Sequence, residues 1–310
     1  MSPSPSHGFE PERGVQNYSR VNRGLRALPS TTMANPKRPA KPGRNWTFNE
    51  LDAYNIRINT VDTQAFFGIP DLPAPVVDPV ILNYVNAPLD EELPWNINVF
   101  FDYLHVAAPN DEAYVLEFSC HLLSHILRFN TPHRIMHQRP NFSFLMSGYR
   151  VKAVPDISIR DKREEYHILL AHTDKVSFPL LPYGYASLTP TKLSRNRAEP
   201  RLVASALGAF SSDNFHRTAV GLPPMPSKRY IGIVMIGTAP RFYKITVTRA
   251  LVDAVMASQI PEETIIQRFV PPVPDADNFL QDGMVPLDKR RVCFQCFEAL
   301  KTPLICLVTV

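Results

Sequence analysis

Long apolar runs, cysteine and glycine are scarce in this chain, and each scarcity removes a class of protein. No run approaches the roughly 18 consecutive apolar residues of a bilayer-spanning helix, so no membrane association is expected. The opening residues, MSPSPSHGFEPERG, have no apolar core of the kind a secretion signal needs. An intracellular location, nuclear or cytoplasmic, is therefore expected. Four cysteines (Cys120, Cys293, Cys296, Cys306) without a signal peptide fit free thiols in a reducing compartment. Cys293 and Cys296 have C-x2-C spacing, but no second pair follows, and RVCFQCFEAL reads as an apolar segment with buried thiols. No internal repeat is present, which sets aside solenoids and propellers. Glycine numbers only 12 against 31 prolines, and the prolines are spread as loop and strand punctuation.

What is present is an ordinary globular balance, 45% hydrophobic and 20% charged, over 310 residues, enough for a sizeable core. The net charge of +4 is uneven. Residues 1–50 carry eight Lys and Arg against three Glu, and the remaining 260 carry 25 against 26. The globular part has no basic surplus, so binding nucleic acid would require a local patch. Residues 1–46, basic and broken by seven prolines, read as a disordered tail. Residues 47–310 read as one domain, with a proline-dense N-terminal extension (47–109) of extended pieces and a core from 110 to 301.

The core has the order αβββαβ. A helix over residues 110–128 carries the apolar stripe Tyr114, Val115, Phe118, Leu122, Leu123, Ile126 and Leu127. On that wheel Glu112 falls on the buried side and Glu117 on the other. His121 and His125 stand one turn apart, but HLLSH lacks the glutamate of a zinc-protease helix, so both read as ordinary histidines. NFSFLM and YRVKAVPDISI are expected to pair across Ser147-Gly148, and YHILLAHT to add a third strand. Period two puts Thr173 and Lys175 on one face and Asp174 on the other. A second helix starts near Pro200 and carries Arg201 and Ser205. Strands over 230–236 and 242–248, a short helix over 250–258 and a packed C-terminal stretch follow. Tyr243 and Lys244 lie on the second of these strands, where they could reach a backbone phosphate.

The series AVPDISI, LLAHTDK, RLVASALGAF, VMIGTAPRFYKITVT, DGMVPLDKRR and CFEALK resembles the PD-(D/E)XK nuclease superfamily. It is similar in particular to an expanded, uncharacterised group of basidiomycete fungal proteins. The resemblance implies an α/β restriction-endonuclease-like core, a mixed sheet with helices on its faces. It implies Mg²⁺- or Mn²⁺-dependent hydrolysis of nucleic acid, with Asp156 and Glu112 as metal ligands and Lys175 as catalytic lysine. Arg201 or Ser205 would be the auxiliary residue on the second helix. Two positions depart from the family pattern: Thr173 stands where an acid precedes Lys175 by two, and Ser205 where the similar fungal proteins tend to carry an acid. An acid would then have to come from Asp174 through a bulge, or from Glu164 or Glu165. The rival expectation is a catalytically inactive nuclease-like module that binds nucleic acid or a protein.

Overall fold

A computed structural model describes residues 38–90, 92–108, 112–174 and 197–306, with backbone alone for Glu112 and for 302–306. The expected tail is held at its described end. Gly43 and Trp46 are buried, and the Lys41 ammonium pairs with Glu50 at 2.5 Å. Residues 1–37, and with them most of that tail, lie outside the described residues.

The proline-dense extension is more helical than expected, because polar caps start a helix at each interruption. Thr47 and Glu50 form a reciprocal capping box on α1 (Phe48–Ala53), which leads to β1 (Ile56–Thr60). Asp62 caps α2 (Thr63–Phe67), which ends at Gly68 in the left-handed region. Asp78 caps α3 (Pro79–Asn83), with the proline in the first turn. A longer helix, α4 (Trp95–Ala107), buries Phe100, Phe101 and Leu104.

Helix α5 (Glu112–His121) continues as a π-helical turn over Leu122–Ile126, as the apolar stripe predicts, except that Tyr114 faces solvent. Glu117 is exposed, as expected. Next come β2 (Arg134–Gln138), β3 (Phe142–Met146), β4 (Tyr149–Ala153), β5 (Ile157–Asp161) and β6 (Tyr166–Asp174). The Ser147-Gly148 hairpin is present, both residues at positive φ. YRVKAVPDISI, however, is two strands: Pro155 cannot donate to a ladder, and the chain leaves one sheet there and enters another. β3 and β4 form a separate two-stranded sheet, and β2 takes the place expected for NFSFLM beside β5.

The remaining elements are α6 (Ala198–Ala219), β7 (Ser227–Ile236), β8 (Ala239–Thr248), α7 (Arg249–Ala257), β9 (Thr264–Phe269), α8 (Phe279–Asp282) and α9 (Leu287–Cys306). Among the described residues, seven strands form a mixed sheet in the order β1-β9-β8-β7-β6-β5-β2. β6 and β7 run parallel, with α6 as the crossover between them, whereas β5 runs antiparallel to both of its neighbours, β2 and β6. Two hydrophobic clusters cover its faces. Leu170, Val234, Tyr243 and Ile245 pack with α6, and Leu169, Ala171, Ile233 and Phe242 pack with α4, α5 and α9. Alternation along β6 sends His172 toward the first cluster and Thr173 toward the second. Cys293 and Cys296 are fully buried on α9 with free thiols, as their apolar context implies. No helix among the described residues is long and apolar enough to cross a membrane.

Candidate functional site

Asp156 sits where the chain enters β5, opposite the last residues of β6. Its amide donates to the Ala171 carbonyl at 3.0 Å, and its own carbonyl accepts from Arg139 at 2.9 Å, so its backbone is fixed on both sides. Its Oδ2 accepts the Thr173 amide at 2.8 Å and the Thr173 hydroxyl at 3.1 Å. His172 Nδ1 lies 3.4 Å from the same oxygen, and His172 Nε2 is 2.9 Å from Ser205 Oγ on α6. Burial alone would raise the Asp156 carboxyl. The His172 imidazole, the Thr173 amide and the Arg201 charge outweigh it and hold Asp156 down at about 2. Burial pushes His172 the other way, favouring the neutral ring.

Asp156, Thr173 and Ser205 are thus brought together, with Arg201 one turn before Ser205. What links them is His172, a residue the motif reading passed over. Its parity with Leu170 was the signal: a histidine on a buried face needs partners for both nitrogens. Ser205 and His172 are each only 1% exposed, so the hydroxyl cannot meet a substrate; His172 Nδ1 approaches Asp156 at 3.4 Å but makes no hydrogen bond to it, so Ser205, His172 and Asp156 form a buried polar cluster and not a completed triad.

Two expected repairs of the missing acid are absent. The β6–β7 register runs unbroken through Thr173 and Asp174, so no bulge there swings Asp174 across. Glu165 lies at the opposite end of the nine-residue β6, roughly 30 Å away along the strand, where its carboxylate meets His216. The side chain of Glu112, which opens α5, and the whole of Lys175 lie outside the described residues. Tyr243 and Lys244 are not available to a phosphate. Tyr243 is buried and donates to Glu199 at 2.7 Å, and the Lys244 ammonium donates to the Phe66 carbonyl. Alternation along β8 buries the first, and α2 packs over the second.

A hard divalent cation takes about six oxygen ligands, usually several of them carboxylate. Asp156 has one oxygen already holding two Thr173 donors. Among the described residues no group of three or more His, Cys, Asp or Glu could hold an ion. No protein-family model matches the chain, and no curated protein matches it significantly.

The surroundings are basic. Glu199, buried in the first turn of α6, accepts from Arg268 at 3.0 Å and has Arg241 at 3.9 Å. Arg139 and Arg197 are exposed at the same end of the sheet. Among the described residues, Arg139, Arg197, Arg201, Arg241 and Arg268 stand around Asp156 and Glu199, and Glu117 adds an acid beside Cys120. At the other end of α6, buried Asp213 accepts from His167, Lys228 and Tyr230. Burial pushes Lys228 down to about 8 despite that carboxylate.

Proposed function

We propose that the chain is a nuclease-fold module that binds nucleic acid and does not cut it. The strand arrangement β2-β5-β6-β7, antiparallel, antiparallel, then parallel, with α5 before it and α6 crossing over, suits a restriction-endonuclease-like core with the β3–β4 hairpin inserted. Under that reading Asp156 and Thr173 stand at the hydrolytic position.

The observation that carries the non-hydrolytic half is the double donation from Thr173 to Asp156 Oδ2. A second carboxylate at that position would repel Asp156 unless a cation lay between them. A threonine donates to it and removes that need. The binding half rests on the arginines. Phosphate neutralisation needs no metal, and Arg139 and Arg197 are exposed beside the more enclosed Arg201, Arg241 and Arg268.

The test is fluorescence anisotropy with labelled single- and double-stranded DNA and RNA in EDTA. Binding in EDTA that weakens in an Arg139→Ala/Arg197→Ala variant, with the salt slope reduced by about 1–2, supports the reading. Binding that requires Mg²⁺, or is indifferent to both arginines, overturns it.

A further inference from the structure

A pocket of about 360 Å³ opens between α4, the helix α5 with its π-helical turn, and the outer strand β2. Trp95, Val99 and Tyr103 repeat along α4 at every fourth position and so share one face of it. Glu117, His121 and His125 line the pocket from α5, again four apart. Met136 and Gln138, on one side of β2, close its end. The π-helical turn itself is of a kind frequently found at functional sites.

The rings set part of its chemistry. Trp95 meets His121 at 75° with centroids 5.6 Å apart and His125 at 90° and 5.3 Å, and Tyr103 meets His121 at 67° and 5.6 Å. The indole is nevertheless 62% exposed, so this cluster is a pocket wall and not core. Burial favours the neutral form of His121, whose Nε2 donates to the Asn96 carbonyl at 2.8 Å.

Charge sets the rest. Among the described residues no lysine or arginine lines the pocket, whereas Glu117 does, exposed and without a hydrogen-bond or ion-pair partner among them. Cys120, buried beneath, senses the field. Burial pushes its thiol up to about 11, and the Asp156 and Glu117 carboxylates raise it by more than Arg139 lowers it. A metal would be one use for Cys120, His121, His125 and Glu117, but among the described residues no group of three or more such side chains could hold one. Aromatic faces in a negative field attract an organic cation instead.

We infer that this pocket binds a trimethylammonium or similarly methylated ammonium group against Trp95 and Tyr103, with Glu117 as its counter-charge. Such a cation has no N–H that needs an acceptor, so rings and one carboxylate suffice. Small molecules such as choline and methylated lysine side chains carry the same group. The inference does not depend on nucleic-acid binding.

Each source is probed beside a neutral counterpart: choline beside 3,3-dimethylbutan-1-ol, and a short capped peptide with a central trimethyllysine beside the same peptide with norleucine. Ligand-observed NMR titrations use the full chain at about pH 8, above the ordinary imidazole range. At least one cation should bind at least about 3-fold more tightly than its counterpart, and which one does so identifies the source. Trp95→Leu and Glu117→Gln change exposed side chains, so the fold is kept, and each should remove most of that preference. No preference for either cation, or an unchanged preference in either variant, overturns the inference.

Discussion

Replacing Asp156 by asparagine removes the charge that accepts both Thr173 donors while keeping its shape, so the loss should depend on pH. An unfolded aspartate titrates near 3.9, and the folded carboxyl lies at about 2. The difference of nearly two pH units corresponds to about 2–3 kcal/mol. Because the folded value is the lower one, this stability is fully present above pH ~4 and disappears as pH falls through about 2. An asparagine that presents its NH2 to the Thr173 donors adds a further cost, and one that presents its oxygen still accepts them, without charge. Urea unfolding followed by the fluorescence of buried Trp46, which stacks on Tyr54, gives the assay. Native protein and Asp156→Asn are compared at pH 7, 5, 4 and 3. The expected gap is about 2–3 kcal/mol at pH 7, narrowing steadily below pH 4. A gap under about 0.5 kcal/mol, or one that is the same at every pH, would refute Asp156 as an electrostatic anchor.

Arg290 is fully buried on α9 and donates to five backbone carbonyls, those of Ile81, Tyr84, Val85, Met284 and Val285. Arg290→Met should cost about 3–5 kcal/mol, read as a large fall in Tm; a shift of a degree or two would contradict its role as the clamp on the segment after α3. Gly283 holds φ at 55°, and a Cβ there would lie 1.9 Å from Thr238 Oγ1. Gly283→Ala should therefore destabilise by at least about 2 kcal/mol in denaturant titration, more than Gly221→Ala, where a Cβ meets nothing within 4 Å.

Local chemistry was legible in the sequence wherever a short-range rule decides the backbone. Ser147-Gly148 turned a hairpin, Thr248 capped α7 through the Leu251 amide, and the Val115–Leu127 stripe made a buried helix. Asp156 and Thr173, at the ends of adjoining strands, lie at hydrogen-bond distance, a contact the motif reading did not anticipate. Long-range pairings were not legible. β1 and β9 lie parallel with Ile56 beside Thr264, and neither strand's short, half-exposed pattern announces a partner two hundred residues away. α4 was missed because prolines before it masked a 13-residue helix that begins just after Pro94. His172 was passed over because a motif reading attends to acids and lysines, whereas its role follows from burial. Arg290 stood in the quoted DGMVPLDKRR stretch, and nothing local distinguishes an arginine that finds five carbonyls from one in solvent.

Cleavage is the most direct measurement. Purified protein in excess is incubated with plasmid, single-stranded DNA and RNA in Mg²⁺ or Mn²⁺, beside Asp156→Ala, Lys175→Ala and Thr173→Glu. The native chain and both alanine variants should leave all three substrates intact, and cutting that appears only in Thr173→Glu would locate the disabling residue. Metal-dependent cutting by the native chain, lost in Asp156→Ala and Lys175→Ala, would contradict the non-hydrolytic reading.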